Sequence, residues 1–337
     1  MNRIDRRTFV QRTGLAGLSL LAFGSVANRA VADPDPVAGA TAAPAGPLEP
    51  DIYPFQLGGV EAFVVHDGAL VLPSIQPMFV PEAKPAELDE LLKRNFLPPN
   101  RLALSLNVLV VKSKAGVMLF DAGAGSSMGA VGGRLVRGLA RIGIAPKDVK
   151  MICVTHAHVD HIGGFVDASG KSLVFPSARI VAAKTEMDFW TSESPDLSGM
   201  RTAPEATAQA LATIKKLLAV MKPNLELKEP GKLSPEVELI AAPGHTPGHS
   251  LFRLTFGGEE LLVIGDAVHV SVLQFPHPEW TMVFDTNPAL AISTRRKLFQ
   301  QAASDRTMLH GFHMPFPGIG HVRAAGEAYE WVPKPWV

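Results

Sequence analysis

Apolar and polar positions alternate over residues 51–72 in two stretches broken by Gly58-Gly59, a period of two that predicts a β-hairpin. The arrangement returns at 107–112 and 117–121 around Ser113-Lys114-Ala115-Gly116, and again at 251–256 and 261–264 around Gly257-Gly258. Elsewhere the period lengthens. Leu88, Leu91 and Leu92 stand at helical spacing within 85–95, and 134–142 reads as a short amphipathic helix. Ala206, Leu211, Ile214, Leu217 and Leu218 predict a longer helix over 203–221, with an apolar face for packing on a sheet. Residues 178–183 read as a strand, 184–190 start a helix, and 287–303 form a helix with Pro288 in its first turn. Hairpins broken by helices argue against a doubly wound parallel sheet. They fit an α/β (α+β) chain of two mixed sheets packed face to face with helices outside.

At 337 residues the chain has room for one large domain or two small ones. Formal charge sums to zero, but residues 1–32 hold five arginines against Asp5 alone, so the remainder is mildly acidic. No basic stripe occurs, which excludes nucleic acid as an expected partner. Asp5-Arg6-Arg7-Thr8-Phe9-Val10 resembles a twin-arginine motif; an apolar run over 15–23 and Ala30-Val31-Ala32 follow it. Residues 1–32 are therefore expected to be a signal peptide, with a periplasmic or secreted product. The apolar run is shorter than the ~20 residues that span a bilayer, so no stable membrane insertion is expected after cleavage. Residues 33–50, rich in Ala, Pro and Gly, read as a flexible leader, leaving 51–337 as the functional domain. Cys153 is the only cysteine, so no intramolecular disulfide forms; its place in an apolar run predicts a buried core residue.

The chemistry concentrates where a strand ends. Ile152-Cys153-Val154-Thr155 is followed by His156-Ala157-His158-Val159-Asp160-His161 and then Gly163-Gly164. Three imidazoles and a carboxylate in six residues suit a divalent metal, for which neutral imidazole and carboxylate are natural donors. At this spacing His156 and His158 can grip one ion while Asp160 and His161 turn to a second. Further donors follow in order. His245 and His249 lie in the Gly/Pro-rich turn 241–249, which can press a histidine inward. Asp266 ends the apolar run 261–264, where a carboxylate can bridge two cations. His310, His313 and His321 follow Thr307-Met308-Leu309, and spacing does not choose among them.

Thr155-His156-Ala157-His158-Val159-Asp160-His161-Ile162-Gly163-Gly164, Gly244-His245-Thr246-Pro247-Gly248-His249 and Gly265-Asp266 resemble the metallo-β-lactamase superfamily. Asp188-Phe189-Trp190, Val272-Leu273-Gln274-Phe275, Phe316-Pro317-Gly318-Ile319-Gly320-His321 and the C-terminal Tyr329, Trp331, Val332 and Pro333 narrow the resemblance to methyl parathion hydrolase and its lactonase-like relatives. It covers roughly residue 51 to the end, and it implies an αβ/βα sandwich with metals at the edge where strand-end loops converge. It implies one ion on His156, His158 and His245, a second on Asp160, His161 and His313, and Asp266 bridging them. His249 becomes a loop residue, and Asp121 an orienting hydrogen-bond acceptor. Trp190, Met128 and Phe275 are the expected pocket residues. Met128 stands where methyl parathion hydrolase has an aromatic.

The resemblance implies a dinuclear hydrolase carrying two divalent ions, with zinc favoured and cobalt, manganese or iron compatible. A water shared by both ions would be a hydroxide near neutral pH and the nucleophile, oriented by Asp160 and Asp266. A nucleophile of this kind needs no Ser-His-Asp set, which argues against a serine mechanism. The expected substrates are small neutral lactones, aryl esters or organophosphate triesters, and the family suggests a homodimer. Two other readings compete: a β-lactamase or thioester hydrolase of the same superfamily, and a metal-loaded binding protein without turnover.

Overall fold

The computed structural model describes residues 51–99 and 101–335; the expected signal peptide and leader lie outside them. Fourteen strands among the described residues form two seven-stranded sheets, each running in chain order. The first holds β1 (Ile52–Leu57), β2 (Val60–Leu72), β3 (Leu102–Ser113), β4 (Gly116–Phe120), β5 (Val149–Val154), β6 (Arg179–Ala183) and β7 (Leu225–Lys228). The second holds β8 (Gly231–Lys232), β9 (Val237–Ala241), β10 (Ser250–Phe256), β11 (Glu259–Val263), β12 (Met308–His310), β13 (Ile319–Ala325) and β14 (Ala328–Pro333). Both sheets are mixed: β4 to β7 run parallel, as do β11 and β12, and the remaining neighbours are antiparallel.

The hairpin turns have a simple backbone cause. Gly58 and Gly59 sit at φ +53° and +84°, and Gly257 and Gly258 at +52° and +85°, the paired left-handed conformation that two-residue hairpins need. The longer helices are α1 (Pro85–Arg94), α2 (Leu135–Arg141), α3 (Lys184–Thr191), α4 (Pro204–Met221) and α5 (Pro288–Asp305). Each predicted helix forms. Pro85, Pro204 and Pro288 each occupy a first turn, where a missing N–H costs nothing. The Asn287 side chain accepts from the Leu290 N–H at 3.0 Å and caps α5.

Between the sheets lies a buried apolar layer containing Leu109, Val111, Phe120, Cys153 and Val181 from the first and Leu239, Phe252, Leu254, Leu261 and Val263 from the second. Phe120 and Phe252 meet across it with ring centroids 5.7 Å apart. Cys153 is fully buried there, and burial pushes its thiol well up, so it is inert. Outside the first sheet, Leu135 and Leu139 of α2 and Ile214 and Leu218 of α4 pack on Leu106, Val108 and Ile152. Outside the second, Leu298 and Phe299 of α5 pack on Leu262 and Leu309. A fourth apolar cluster joins α1 and Phe79 to Val270, Leu273, Trp280 and Met282. The architecture is thus the αβ/βα sandwich expected from the sequence. The hairpin β13–β14 had no sequence forecast, because its outer positions mix charged and aromatic residues without clean alternation.

Parallel pairing places the site. Phe120 pairs with Cys153 in β4 and β5, and Val263 with His310 in β11 and β12, so the chain leaves four strands at one end of the sandwich. The Ser250 N–H donates to the Thr155 carbonyl at 2.9 Å and ties the two sheets together at that end.

Candidate metal centre

The loop after β5 presents His156 and His158, and the helical turn Val159–Ile162 then points Asp160 and His161 the same way. His245 comes from the turn between β9 and β10, Asp266 from the end of β11, and His313 from the loop after β12. Two donor groups result. One comprises His156, His158, His245 and Asp266, the other Asp160, His161 and His313, with donor atoms inside each group all within 4.8 Å of one another. Asp266 lies between them: Oδ2 is 3.6 Å from His156 Nε2, 3.4 Å from His245 Nε2 and 3.4 Å from His313 Nε2, while Oδ1 is 3.1 Å from His161 Nε2. Asp160 Oδ2 stands 3.2 Å from His313 Nε2. The seven predicted donors therefore come together.

In four of the five imidazoles the nitrogen that faces away from the centre is fixed by an acceptor. Nδ1 of His245 bonds Asp285 Oδ1, Nδ1 of His161 bonds Asp121 Oδ2, both at 2.8 Å, and Nδ1 of His313 bonds the Ser105 carbonyl at 2.9 Å. Nδ1 of His156 lies 3.1 Å from the Thr155 hydroxyl, which itself donates to Asp121. A carboxylate or carbonyl only accepts, and the Thr155 hydroxyl has given its own proton to Asp121, so each of these Nδ1 atoms carries a proton and each Nε2 is the atom left facing the centre. Asp121 holds its post from a left-handed backbone, φ +61°, and also receives the Thr155 N–H at 2.8 Å.

Those inward atoms provide the test of fit. His158 Nδ1 lies 3.0 Å from His156 Nε2 and 2.9 Å from His245 Nε2. A single proton on His158 Nδ1 answers only one of these two neighbours, and bare nitrogens so close repel. Donors about 2.0–2.1 Å from a tetrahedral zinc stand roughly 3.3 Å apart, which is the scale of these separations. His161 Nε2 and Asp266 Oδ1 are buried without any hydrogen-bond partner, as ligand atoms are. The donor set, five imidazoles with two carboxylates, fits two borderline-soft divalent ions.

Charge says the same. Burial alone raises carboxylates and lowers imidazoles. Burial does push on Asp160 and Asp266, yet His161 and His313 outweigh it and hold both below the usual carboxylate range. Burial is likewise overridden at His161, held well above its ordinary value by Asp266, Asp160 and Asp121, and at His313, raised to about 9 chiefly by Asp266 and Asp160. His156 is pushed well below, and His158 down to about 3, by burial and then by neighbouring histidines. The cluster calls for positive charge at its centre.

Other predicted residues fall in different places. Trp190 is buried, with its ring 5.6 Å from His158, and backs the first donor group. Phe284 stands 6.4 Å from the same imidazole. Met128 is half-buried against the layer between the first sheet and its helices. Phe275 is a correction. It is fully buried on the far side of the second sheet, stacked on Phe299 at 4.3 Å and tilted against Trp331 at 5.6 Å, so it is core rather than pocket. His249 stays out of the donor groups and accepts the Asp266 N–H on Nε2 at 3.0 Å. His310 is buried on β12, outside both groups, and His321 bonds the Arg306 carbonyl at 3.1 Å.

Asp285 and His269, both beside the donor groups, escaped the sequence reading. Asp285 supports His245 from a loop with no motif. His269 places Nε2 2.9 Å from Asp266 Oδ2 and forms a third donor group with Asp266 and His313. A histidine three residues after a bridging carboxylate was the available signal.

The model of the metallo-β-lactamase superfamily matches residues 102–313, and the chain belongs to that family. The N-acyl homoserine lactonase AiiA of Bacillus thuringiensis subsp. kurstaki is 26% identical over 184 residues, 53% of this chain. The chain spans 62% of the length of that relative. Among solved structures, AidC, a dizinc quorum-quenching lactonase in complex with a product N-hexanoyl-L-homoserine, is 32% identical with a TM-score of 0.81, covering 85% of this chain and 98% of that one. The hydrolase AbOPH of the β-lactamase superfamily is 28% identical with a TM-score of 0.77, over 85% of this chain and 98% of that one.

Proposed function

We propose that this member of the metallo-β-lactamase superfamily is a dinuclear metal-dependent hydrolase whose substrates are small neutral lactones. One observation carries the reading: Asp266 lies within 3.6 Å of histidines from both donor groups, and four of the five imidazoles are aimed by a bonded rear nitrogen. The likeness to two lactonases, one of them dizinc, supports both the reaction and zinc as the metal. His156, His158 and His245 would hold one ion, Asp160, His161 and His313 the other, and Asp266 both. When bound, the ions supply Lewis acidity and an activated water.

The protein's own groups do the rest. Asp160 is the more open of the two carboxylates, its side chain 18% exposed against 4% for Asp266, so it is within reach of solvent. From there its carboxylate can orient the attacking water and pass the released proton to solvent. Trp190 and Phe284 give the first group an apolar flank and exclude bulk water. Such a flank suits an uncharged ester ring better than an anionic substrate. Aryl esters and organophosphate triesters share that neutrality and a weakly basic leaving group, and we place them as secondary substrates.

The deciding experiment is a substrate panel on zinc-replete protein: N-acyl homoserine lactones, dihydrocoumarin, an aryl ester, a paraoxon-type triester and nitrocefin. Lactone opening, followed by acid release, is expected to be fastest. Protein that carries two ions and opens no lactone would overturn the reading, and turnover of nitrocefin alone would replace it with a β-lactamase. We further propose export through the twin-arginine pathway; N-terminal sequencing of the periplasmic product tests it, and an uncleaved cytoplasmic product rejects it.

A further inference from the structure

We propose that Glu186 is the positioning residue of the first metal site, a single buried carboxylate that fixes both of that site's histidine loops and its aromatic flank. Glu186 lies in the first turn of α3 and is 1% exposed. A buried carboxylate must be fully bonded to be tolerated. Here Oε1 accepts the Ala157 N–H and the Trp190 indole N–H, each at 2.8 Å. Oε2 accepts the Thr246 hydroxyl at 2.6 Å and the Gly248 N–H at 3.0 Å.

The identity of those partners carries the argument. Ala157 sits between His156 and His158. Thr246 directly follows His245, and Gly248 closes the same turn. Trp190 lies against His158. All three expected histidine ligands of the first ion thus hang on segments that one side chain ties together. The turn also rests on α3 through backbone alone: a Cβ at Gly248 would fall 2.1 Å from the Glu186 nitrogen. The histidines of the second site rest on other groups, His161 on Asp121, which also holds Thr155 beside His156, and His313 on the Ser105 carbonyl. Glu186 bonds none of them. A buried carboxylate that merely stabilised the fold would have no reason to act on one ion and spare the other. That selectivity is the content of the proposal.

It rests on the reading that His156, His158 and His245 hold an ion, and the experiment separates the two. Zinc is withdrawn from the purified full-length protein by a chromophoric chelator, and the cobalt-substituted protein is followed by its visible spectrum. Wild type is expected to release two ions; the phase missing from His158→Ala marks the first site. Glu186→Gln keeps three of the four bonds, because the amide oxygen still accepts twice and the Thr246 hydroxyl can turn to accept from the new N–H. It should weaken the first ion about 10-fold and alter only that ion's cobalt bands, and Glu186→Ala should weaken it up to about 100-fold. If Glu186→Ala does not fold, Thr246→Val, which removes one bond, joins Glu186→Gln in testing the same selectivity. Folded variants that hold both ions as wild type does, or lose both in parallel, overturn the proposal. Wild type that binds fewer than two ions overturns the metal reading instead.

Discussion

His156, His158, Asp160 and His161 reach the centre from one strand end and one helical turn, whereas His245, Asp266 and His313 arrive from three separate loops. The contiguous region needs little beyond local geometry: an apolar strand, a two-residue step and a turn of helix aim its four side chains. The dispersed region depends on sheet pairing, chiefly the parallel register of β11 with β12, and on remote supports such as Asp285 and Ser105. The difference shows that a metal site can be half written in a motif and half assembled by the fold. The two halves should then fail differently.

The largest effect should come from removing a ligand in either region. His158→Ala and His245→Ala are each expected to lower lactone hydrolysis on the order of 10³-fold, since each takes a donor from the same ion. Near-native activity in His245→Ala with full metal content would break the equivalence and detach the dispersed region from the chemistry. Phe275→Ala sharpens the contrast between site and scaffold. It should cost about 3–5 kcal/mol in unfolding free energy, read by chemical denaturation, while a native sample still binds two ions. Loss of metal without loss of stability would return Phe275 to the pocket.

Protons test the two regions together. His313 in the folded chain is raised to about 9 from an ordinary 6.5. A raised value means the folded state binds the proton more tightly, so this stabilisation is complete below about 6.5 and is lost as pH climbs through about 9. Metal-free protein should therefore lose up to about 1.4 kcal/mol per pH unit across that window. Zinc-loaded protein should not, because an ion replaces the proton. A flat profile for metal-free protein, by calorimetry, would contradict the charge arrangement. The smallest effect belongs to the supports. Asp285→Ala should weaken the first ion about 10- to 100-fold through His245, whereas Asp121→Ala, which frees both His161 and the Thr155 hydroxyl beside His156, should weaken both ions. Chelator competition reads both, and the comparison fails if Asp121→Ala leaves the second ion as tightly held as in wild type.

Most of the scaffold was legible because its signals are local. The glycine pairs at 58–59 and 257–258 carry the positive φ values that close their hairpins, and the leucine spacing of α1 and α4 marks their buried faces. The hairpin β13–β14 was not legible, since charged and aromatic residues share its outer face. At the site, resemblance supplied His245 and His313, which spacing left open. Asp285 and His269 were missed because a carboxylate or histidine in a loop reveals its neighbour only after folding. Phe275 was misplaced for a related reason: an aromatic beside family motifs fits a pocket or a core equally well until its neighbours Phe299 and Trp331 are known.

By itself the sequence determined most of the elements, the sandwich class and the contiguous donors, because periodicity, turn chemistry and short spacing act within a few residues. Tertiary structure alone decided which distant side chains share an ion, which nitrogen of each imidazole faces it, and which buried carboxylates hold the ligands still. Those outcomes depend on atoms brought to within about 3 Å by strand pairing and sheet packing, a distance that position along the chain does not encode.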